Sequence, residues 1–111
     1  MYTHVGVTVA GAREPFAGHS YDVSEGGVQL ELDDVIEPGT PVSIELVLPF
    51  VGGLRLADEE RIVRVTGNVV WVDDSEPGPV RLAVAFTKFA SEADRVRLLK
   101  QLSGRTARRA A

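Results

Sequence analysis

RIVRVTGNVVWV, residues Arg61–Val72, is the longest stretch of alternating hydrophobicity in the chain, and it decides the fold class. Apolar side chains recur at every second position, which predicts a β-strand with one buried face. Four side chains are expected on that face, namely Val63, Val65, Val69 and Trp71. Gly67 interrupts the run, and a glycine inside a strand is typical of a bend or bulge that lets a sheet curl.

The same alternation recurs in shorter segments on both sides of this run. It predicts further strands at Val5–Val9, Phe16–Tyr21, Val28–Leu32, Val42–Leu48 and Leu82–Phe86. Turn sequences separate the strands at Pro38-Gly39, at Gly52-Gly53 and in the polar loop Asp73–Pro79. Six short strands with no helix between them predict an all-β fold, either an antiparallel barrel or a sandwich.

One helix is predicted near the C-terminus. Ser91 is a suitable N-cap, and Asp94 three residues later makes a variant of the capping box. The spacing of Val96, Leu99 and Leu102 places them close to one apolar helix face, with Leu98 beside that face. Gly104 favours a helix end. We therefore predict one domain over residues 1–103 and a flexible basic tail over 104–111.

Length and composition indicate a small globular domain. The 111 residues suffice for a single domain. Because the chain has no cysteine, it has neither a disulfide framework nor a thiolate-based site. The N-terminus lacks a basic region followed by an apolar block, and no apolar run approaches the ~18–20 residues of a membrane span. We expect a soluble cytoplasmic protein without membrane insertion.

Charge is distributed unevenly along the chain, whose net charge is −4. Residues 1–60 hold 11 acidic and two basic residues, whereas residues 61–111 hold 10 basic and five acidic ones. Either the two halves present oppositely charged surfaces to a partner, or their strands interleave and the charges cancel. Charge alone does not distinguish these arrangements, because it does not reveal strand order.

Residues suited to catalysis or metal binding lack the spacing that such chemistry needs. His4 and His19 lie in predicted strands, outside any nucleophile motif, and are expected to be surface or packing residues. Acidic neighbours occur at Asp33-Asp34, Asp58–Glu60 and Asp73-Asp74, where side chains point apart or into solvent. The sequence contains no phosphate-binding loop, dinucleotide fingerprint or metal-ligand spacing. We predict no enzymatic activity, no catalytic residue, no metal site and no cofactor.

The segment Tyr21–Val28 (YDVSEGGV) carries the most informative turn chemistry. Asp22 and Ser24 can each accept a hydrogen bond from the backbone N–H group two residues later. Gly26 and Gly27 permit positive φ and leave no side chain over the turn. Taken alone, the pattern favours a hairpin that needs these residues for its own geometry.

In its wider context this segment resembles the PilZ domain family. Asp22, Ser24 and Gly27 match the family's Asp/Asn-x-Ser-x-x-Gly motif. Further segments are similar, in order and spacing, to the family's turns, strands and helix entry: Glu37–Pro49, Thr66–Val72, Leu82–Phe86 and Ser91–Arg95. The resemblance covers nearly the whole chain. It implies a six-stranded antiparallel β-barrel with one C-terminal α-helix and a non-enzymatic regulatory role in bacterial cyclic di-GMP signalling.

The resemblance also implies a ligand site. In members that bind cyclic di-GMP, the loop matching Asp22, Ser24 and Gly27 contacts the nucleotide from one side, and an Arg-x-x-x-Arg segment before the first strand holds it from the other. Arginine suits that role because it can form paired hydrogen bonds with a guanine edge or a phosphate and can stack on a base.

The arginine segment does not occur in this sequence. The chain opens on Met1-Tyr2-Thr3-His4, and its first arginine is Arg13. Loss of two arginines costs on the order of 3–6 kcal/mol of binding free energy, which is about two to four decades of affinity. We therefore expect a degenerate nucleotide site.

Three functions remain open from the sequence. The first is an adaptor acting through protein–protein contact in motility, pilus or surface-behaviour systems, by the outer barrel face near Asp22–Gly27 and a helix surface with Arg95, Arg97 and Lys100. The second is a cyclic di-GMP receptor that uses the same loop with other cationic partners. The third is nucleic-acid binding through the basic tail at 105–111, which an acidic protein disfavours. We expect the first.

Overall fold

The computed structural model describes residues 1–49 and 61–110, with residues 104–110 as backbone only. Six strands precede one helix: β1 Thr3–Val9, β2 Phe16–Val23, β3 Gly27–Leu32, β4 Pro41–Val47, β5 Ile62–Asp73, β6 Val80–Phe89 and α1 Glu92–Ala110. Each predicted strand is present. The predicted turn at Gly52-Gly53 and the acidic run Asp58–Glu60 lie outside the described residues.

The six strands close into an antiparallel barrel. Their order around the barrel is β1-β2-β3-β6-β5-β4, and β4 pairs with β1 to complete the ring. This confirms the predicted six-stranded barrel with a C-terminal helix and decides between barrel and sandwich. A closed ring leaves no free strand edge, so we expect a partner to reach these strands through side chains and loops.

Alternating side chains of the strands fill the barrel interior. Val63, Val65 and Val69 are buried there, as the pattern of β5 predicts. Gly67 lies at a register shift, which confirms the predicted irregularity. A Cβ atom at this position would stand 2.3 Å from the carbonyl oxygen of Ala85, so the close approach of β6 requires glycine.

The prediction that Trp71 faces the core is wrong. A second register shift lies between Val69 and Trp71. One extra residue in a strand turns the following side chains to the opposite face. Trp71 is therefore 39% exposed and Val70 is 53% exposed, whereas Val72 packs against the core.

Helix α1 begins at the predicted cap and packs on β5 and β6. The backbone N–H of Asp94 donates to Ser91 Oγ at 3.1 Å. Leu98 is fully buried in the core, but Val96 is 36% exposed, so its assignment to the apolar face is wrong. The inward stripe runs through Asp94, Leu98 and Leu102, because residues four apart lie on the same side of a helix.

The helix continues past Gly104, where the sequence predicts its end. Its backbone is helical to Ala110. A glycine within a helix costs only about 1 kcal/mol relative to alanine, and alanine and arginine, which dominate the following residues, are good helix formers. The side chains of 104–111 lie outside the described residues, so the flexible basic tail stays a prediction.

Candidate functional site

The Asp22–Gly27 loop joins β2 to β3 and is held by its own hydrogen bonds. The backbone N–H of Ser24 donates to the carbonyl oxygen of Gly27 at 2.9 Å, and that of Gly26 donates to Ser24 Oγ at 3.3 Å. The predicted turn at Ser24 is thus confirmed. The predicted turn at Asp22 is wrong, because the N–H group of Ser24 that it needs already bonds to Gly27.

Close approach to a neighbouring strand, not positive φ, explains the glycine at position 27. Neither Gly26 nor Gly27 has positive φ, contrary to the expectation. A Cβ atom on Gly27 would stand 2.5 Å from the carbonyl oxygen of Val84 in β6. The backbone N–H of Phe86 also donates to the carbonyl oxygen of Gly26 at 2.9 Å. Packing of the loop on β6 therefore requires Gly27, with or without a ligand.

A shallow groove of about 260 Å³ runs from this loop across the outer surface of the barrel. It is bounded by the loop and by residues of β3, β5 and β6, several of which are small. The lining includes Asp22, Gly27, Gln29, Val70, Ala83 and Ala85. We call this depression the outer groove.

One transverse row of residues crosses the outer groove. Asp22 lies opposite Gln29, Gln29 opposite Ala83, and Ala83 opposite Trp71, so four adjacent strands contribute to the row. The Asp22 carboxylate and the Gln29 carboxamide make no hydrogen bond or ion pair with any residue that the structure describes. Both groups are therefore available to a ligand or partner.

A second row, composed of titratable side chains, runs beside the first. In spatial order across β1, β2, β3, β6 and β5 it comprises His4, His19, Glu31, Arg81 and Asp73. The ring centroids of His4 and His19 are 4.8 Å apart, and Arg81 Nε lies 3.5 Å from Glu31 Oε1. The two histidines thus lie together on the outer face as packing residues of neighbouring strands.

An irregularity in β2 brings Tyr21 to the same outer face. The register shifts between Ser20 and Asp22, and the Arg81 guanidinium carbon lies 5.9 Å from the centroid of the Tyr21 ring. Partial burial raises the pKa of the Tyr21 hydroxyl above its ordinary value of 10.0, and the charge of Arg81 opposes this only in part. The hydroxyl therefore stays protonated at neutral pH.

The first turns of α1 contain the cations of the predicted partner surface. Arg95 connects the helix to the loop, with NH2 3.1 Å from Glu25 Oε2 and NH1 2.9 Å from Glu92 Oε1. Lys100 is exposed and makes no hydrogen bond or ion pair within the described part of the chain. Contact of these side chains with a partner stays a prediction.

Arg97, the third of these cations, lies against the barrel beside Asp94. Its NH2 group is 3.0 Å from Asp94 Oδ1 and donates to the carbonyl oxygen of Ile62 at 3.2 Å. Asp94 also accepts a hydrogen bond from the backbone N–H of Arg64 at 2.9 Å. Burial opposes ionisation of Asp94, but the hydrogen bonds from Ser91 and Arg64 and the charge of Arg97 outweigh it and lower the pKa. This cluster fastens α1 to β5.

Neither a metal centre nor a membrane-spanning helix is found in the described residues. Within residues 1–49 and 61–110, no three His, Cys, Asp or Glu side chains are grouped to hold a metal ion. In that same part of the chain, no helix combines the length and the apolar character required to cross a bilayer.

Sequence reasoning missed Tyr21, Gln29 and Val70 as site residues and misplaced Trp71. The four consecutive apolar residues from Val69 to Val72 break the alternation of β5, and that break is the available signal of a bulge. The segment around Tyr21 offers no such signal, because its polar and apolar residues remain compatible with a regular strand.

Comparison with known proteins is consistent with the barrel and the loop. The family model for the PilZ domain matches residues 1–104. Among solved structures, the chain is similar to the Bacillus subtilis inhibitor of motility (MotI/DgrA), with a TM-score of 0.69 and 15% sequence identity over 96% of this chain. It spans about half of that protein, 48% of its length. No curated protein matches the sequence.

Proposed function

Because the chain belongs to the PilZ domain family, we propose that it is a non-catalytic regulatory domain of cyclic di-GMP signalling that acts by contacting another protein. The contact surface is the outer groove with Tyr21 and Trp71 at its margins. The observation that carries this proposal is the pairing of charges around the groove: the Asp22 carboxylate has no partner among the described residues, while Arg81 and Arg95 are each paired with a glutamate.

The paired cations argue for a degenerate nucleotide site. Arg81 lies beside Glu31, and Arg95 beside Glu25. A ligand with two phosphate charges would have to displace these carboxylates or bind next to them, and Asp22 adds a further negative charge. Like charges 4 Å apart repel by about 4 kcal/mol at an effective dielectric constant of 20. Electrostatics at this surface therefore disfavours a dianionic dinucleotide.

The shape and composition of the outer groove favour a protein partner. The groove is a shallow, open depression, whereas sites for small-molecule ligands are concave and bury most of the ligand surface. Val70 and Trp71 stand exposed beside it, and exposed aromatic and apolar side chains dominate the energetics of protein–protein contacts.

The proposed output is control of bacterial motility, pilus assembly or surface behaviour from the cytoplasm. The similar solved protein is named an inhibitor of motility, which supports this choice. That protein is about twice as long as this chain. We therefore propose that the domain exerts this control together with the protein that it contacts.

A cyclic di-GMP receptor is the second candidate function. It is favoured by the free Asp22 carboxylate, which can accept hydrogen bonds from guanine N–H groups. This candidate requires Arg81 or Arg95 to exchange its carboxylate partner for a phosphate of the ligand.

Calorimetric titration with cyclic di-GMP separates the two candidates. We expect no heat of binding at micromolar ligand, because Asp22 and the carboxylates beside Arg81 and Arg95 place negative charge where the phosphates of the ligand would bind. Heat of binding that disappears in Asp22→Ala would contradict the adaptor proposal and support the receptor.

A capture experiment with matched variants tests the protein contact itself. The wild-type chain, Trp71→Ala and Val35→Ala are each used as bait in a bacterial extract, and the bound proteins are identified. Val35 is a suitable control because it is 49% exposed but lies in the loop between β3 and β4, outside the outer groove. We expect one partner to be lost with Trp71→Ala and retained with Val35→Ala; equal retention by both variants would count against the surface.

A further inference from the structure

The outer groove presents the carboxylate of Asp22 and the carboxamide of Gln29 next to small residues of β3 and β6. Trp71 lies beside the groove on β5, at the opposite end of the row from Asp22, with Gln29 and Ala83 between them. Each strand spacing is about 4.8 Å, so the row from Asp22 to Trp71 is about 14 Å long. In the described residues, no cation is paired with Asp22.

The same face already holds one guanidinium group beside a carboxylate. Arg81 lies over the Tyr21 ring, at 5.9 Å from its centroid, and beside the Glu31 carboxylate at 3.5 Å. A carboxylate on this surface thus already has an arginine as its partner. The exposed Asp22 carboxylate is a second carboxylate of the same face, and its row has no arginine of its own, with Trp71 about 14 Å away at the far end.

We propose that the partner's contact element is an arginine-bearing protein segment. Its guanidinium group binds the Asp22 carboxylate and the Gln29 carboxamide oxygen, and its aliphatic stem lies over Ala83 toward Trp71. This inference rests on the proposed function and specifies the chemistry of the partner at the same surface. Its basis is charge complementarity, since the groove presents a free carboxylate where the partner presents a cation.

Arginine fits the row better than lysine for two reasons. Its planar fork can donate two parallel hydrogen bonds to a carboxylate. It is also more weakly hydrated than the compact ammonium group of lysine, so it loses less hydration when it binds. Trp and Arg are also the side chains that most often dominate the energetics of protein contacts.

The inference is tested with three short peptides and the fluorescence of Trp71, which is the chain's single tryptophan. Acetyl-Gly-Arg-Gly-amide, its lysine analogue and its citrulline analogue are titrated to millimolar concentration, and amide chemical shifts of ¹⁵N-labelled protein are recorded in parallel. We expect a saturable response with the arginine peptide, a several-fold weaker one with lysine and none with citrulline, which keeps the shape but lacks the charge. Shifted amides should include those of Asp22 and Gln29.

Matched variants test whether the response to the peptide depends on the Asp22 carboxylate. Asp22→Asn should abolish the response to the arginine peptide, whereas Asp34→Asn, which removes an exposed carboxylate from the loop after β3, should leave it unchanged. Far-UV circular dichroism of each variant verifies that the barrel is intact. Equal responses to arginine and citrulline, or an unchanged response in Asp22→Asn, would overturn the inference.

Two other occupants of the groove are outcomes of the same experiment. A Trp71 response to cyclic di-GMP that depends on Asp22, with none to the peptides, would assign the groove to a nucleotide. Concentration-dependent sedimentation that Trp71→Ala abolishes would assign it to a second copy of the chain. If Trp71→Ala loses the captured partner but no peptide binds, the cationic segment is refuted while the protein contact stands.

Discussion

Some residues of the Asp22–Gly27 loop form contacts within the loop and with β6, whereas the Asp22 carboxylate is exposed to solvent. Ser24 accepts a hydrogen bond within its own turn, and Gly27 lies against the backbone of β6. The Asp22 carboxylate makes no hydrogen bond or ion pair in the described part of the chain. Ser24 and Gly27 therefore serve the hairpin itself, whereas the Asp22 carboxylate is not used to build it.

Alanine substitution of the two adjacent glycines distinguishes packing from turn flexibility. A Cβ atom on Gly27 would stand 2.5 Å from the carbonyl oxygen of Val84, whereas one on Gly26 would meet nothing within 4 Å. We expect Gly27→Ala to lower the free energy of unfolding by about 1–3 kcal/mol, and Gly26→Ala to leave it near the wild-type value. Urea denaturation of the two variants measures this, and equal stabilities would contradict the packing explanation.

At the scale of elements, apolar and ionic contacts together hold α1 on the barrel. Leu98 enters the core, and Asp94 lies one turn earlier on the same stripe, bonded to β5 through Arg64 N and to Arg97. A buried carboxylate is stabilising only when hydrogen bonds and a cation compensate its loss of water. Both compensations are present, so the helix docks in one orientation.

The ionisation of Asp94 makes the docking of α1 dependent on pH. Its pKa in the folded protein lies below the ordinary value of 3.8, so the ionised form stabilises the fold at pH values above that ordinary value. This contribution is lost as the pH falls through the lowered pKa. We expect Asp94→Asn to cost about 1–3 kcal/mol of unfolding free energy at pH 7 and progressively less below about pH 4.

Urea denaturation of both proteins between pH 7 and pH 3 measures this difference. Asp34→Asn serves as the control, because that residue is exposed and makes no hydrogen bond within the described chain. If the difference in unfolding free energy between the wild type and Asp94→Asn stayed constant down to pH 3, ionisation of Asp94 would not be the source of the pH dependence.

At the scale of the whole molecule, the strand order places strands of the acidic and basic halves side by side, so charges of the described residues cancel locally. Strands β6 and β5, from the basic half, lie between β3 and β4, from the acidic half. Pairs such as Glu31–Arg81 and Glu25–Arg95 consequently join the two halves across the fold. Of the two arrangements left open by the charge pattern, the structure has the interleaved one.

The Glu25–Arg95 pair provides a quantitative test of this cancellation. Both side chains are about half exposed, so a double-mutant cycle with Glu25→Gln and Arg95→Gln should give a coupling free energy of only about 0.2–1 kcal/mol. The coupling should decrease at 1 M salt, where the Debye length is about 3 Å. A coupling free energy well above this range, or one insensitive to salt, would indicate that the two side chains are less exposed to solvent than in the structure.

The sequence by itself determined the strands, the helix cap and the all-β class. Alternation along β5 and the Ser91–Asp94 cap are local patterns, and each depends only on residues a few positions apart. For the same reason they predicted the barrel core at Val63, Val65 and Val69 correctly.

Only the tertiary structure decided which side chains the outer face presents. Trp71 and Tyr21 lie there because bulges shift the pairing of β5 with β6 and of β2 with β3. Such shifts are set by contacts between strands distant in sequence, and a shift of one residue reverses the face of every side chain that follows. The pairing of Arg95 with Glu25, seventy residues away in the chain, arises in the same way.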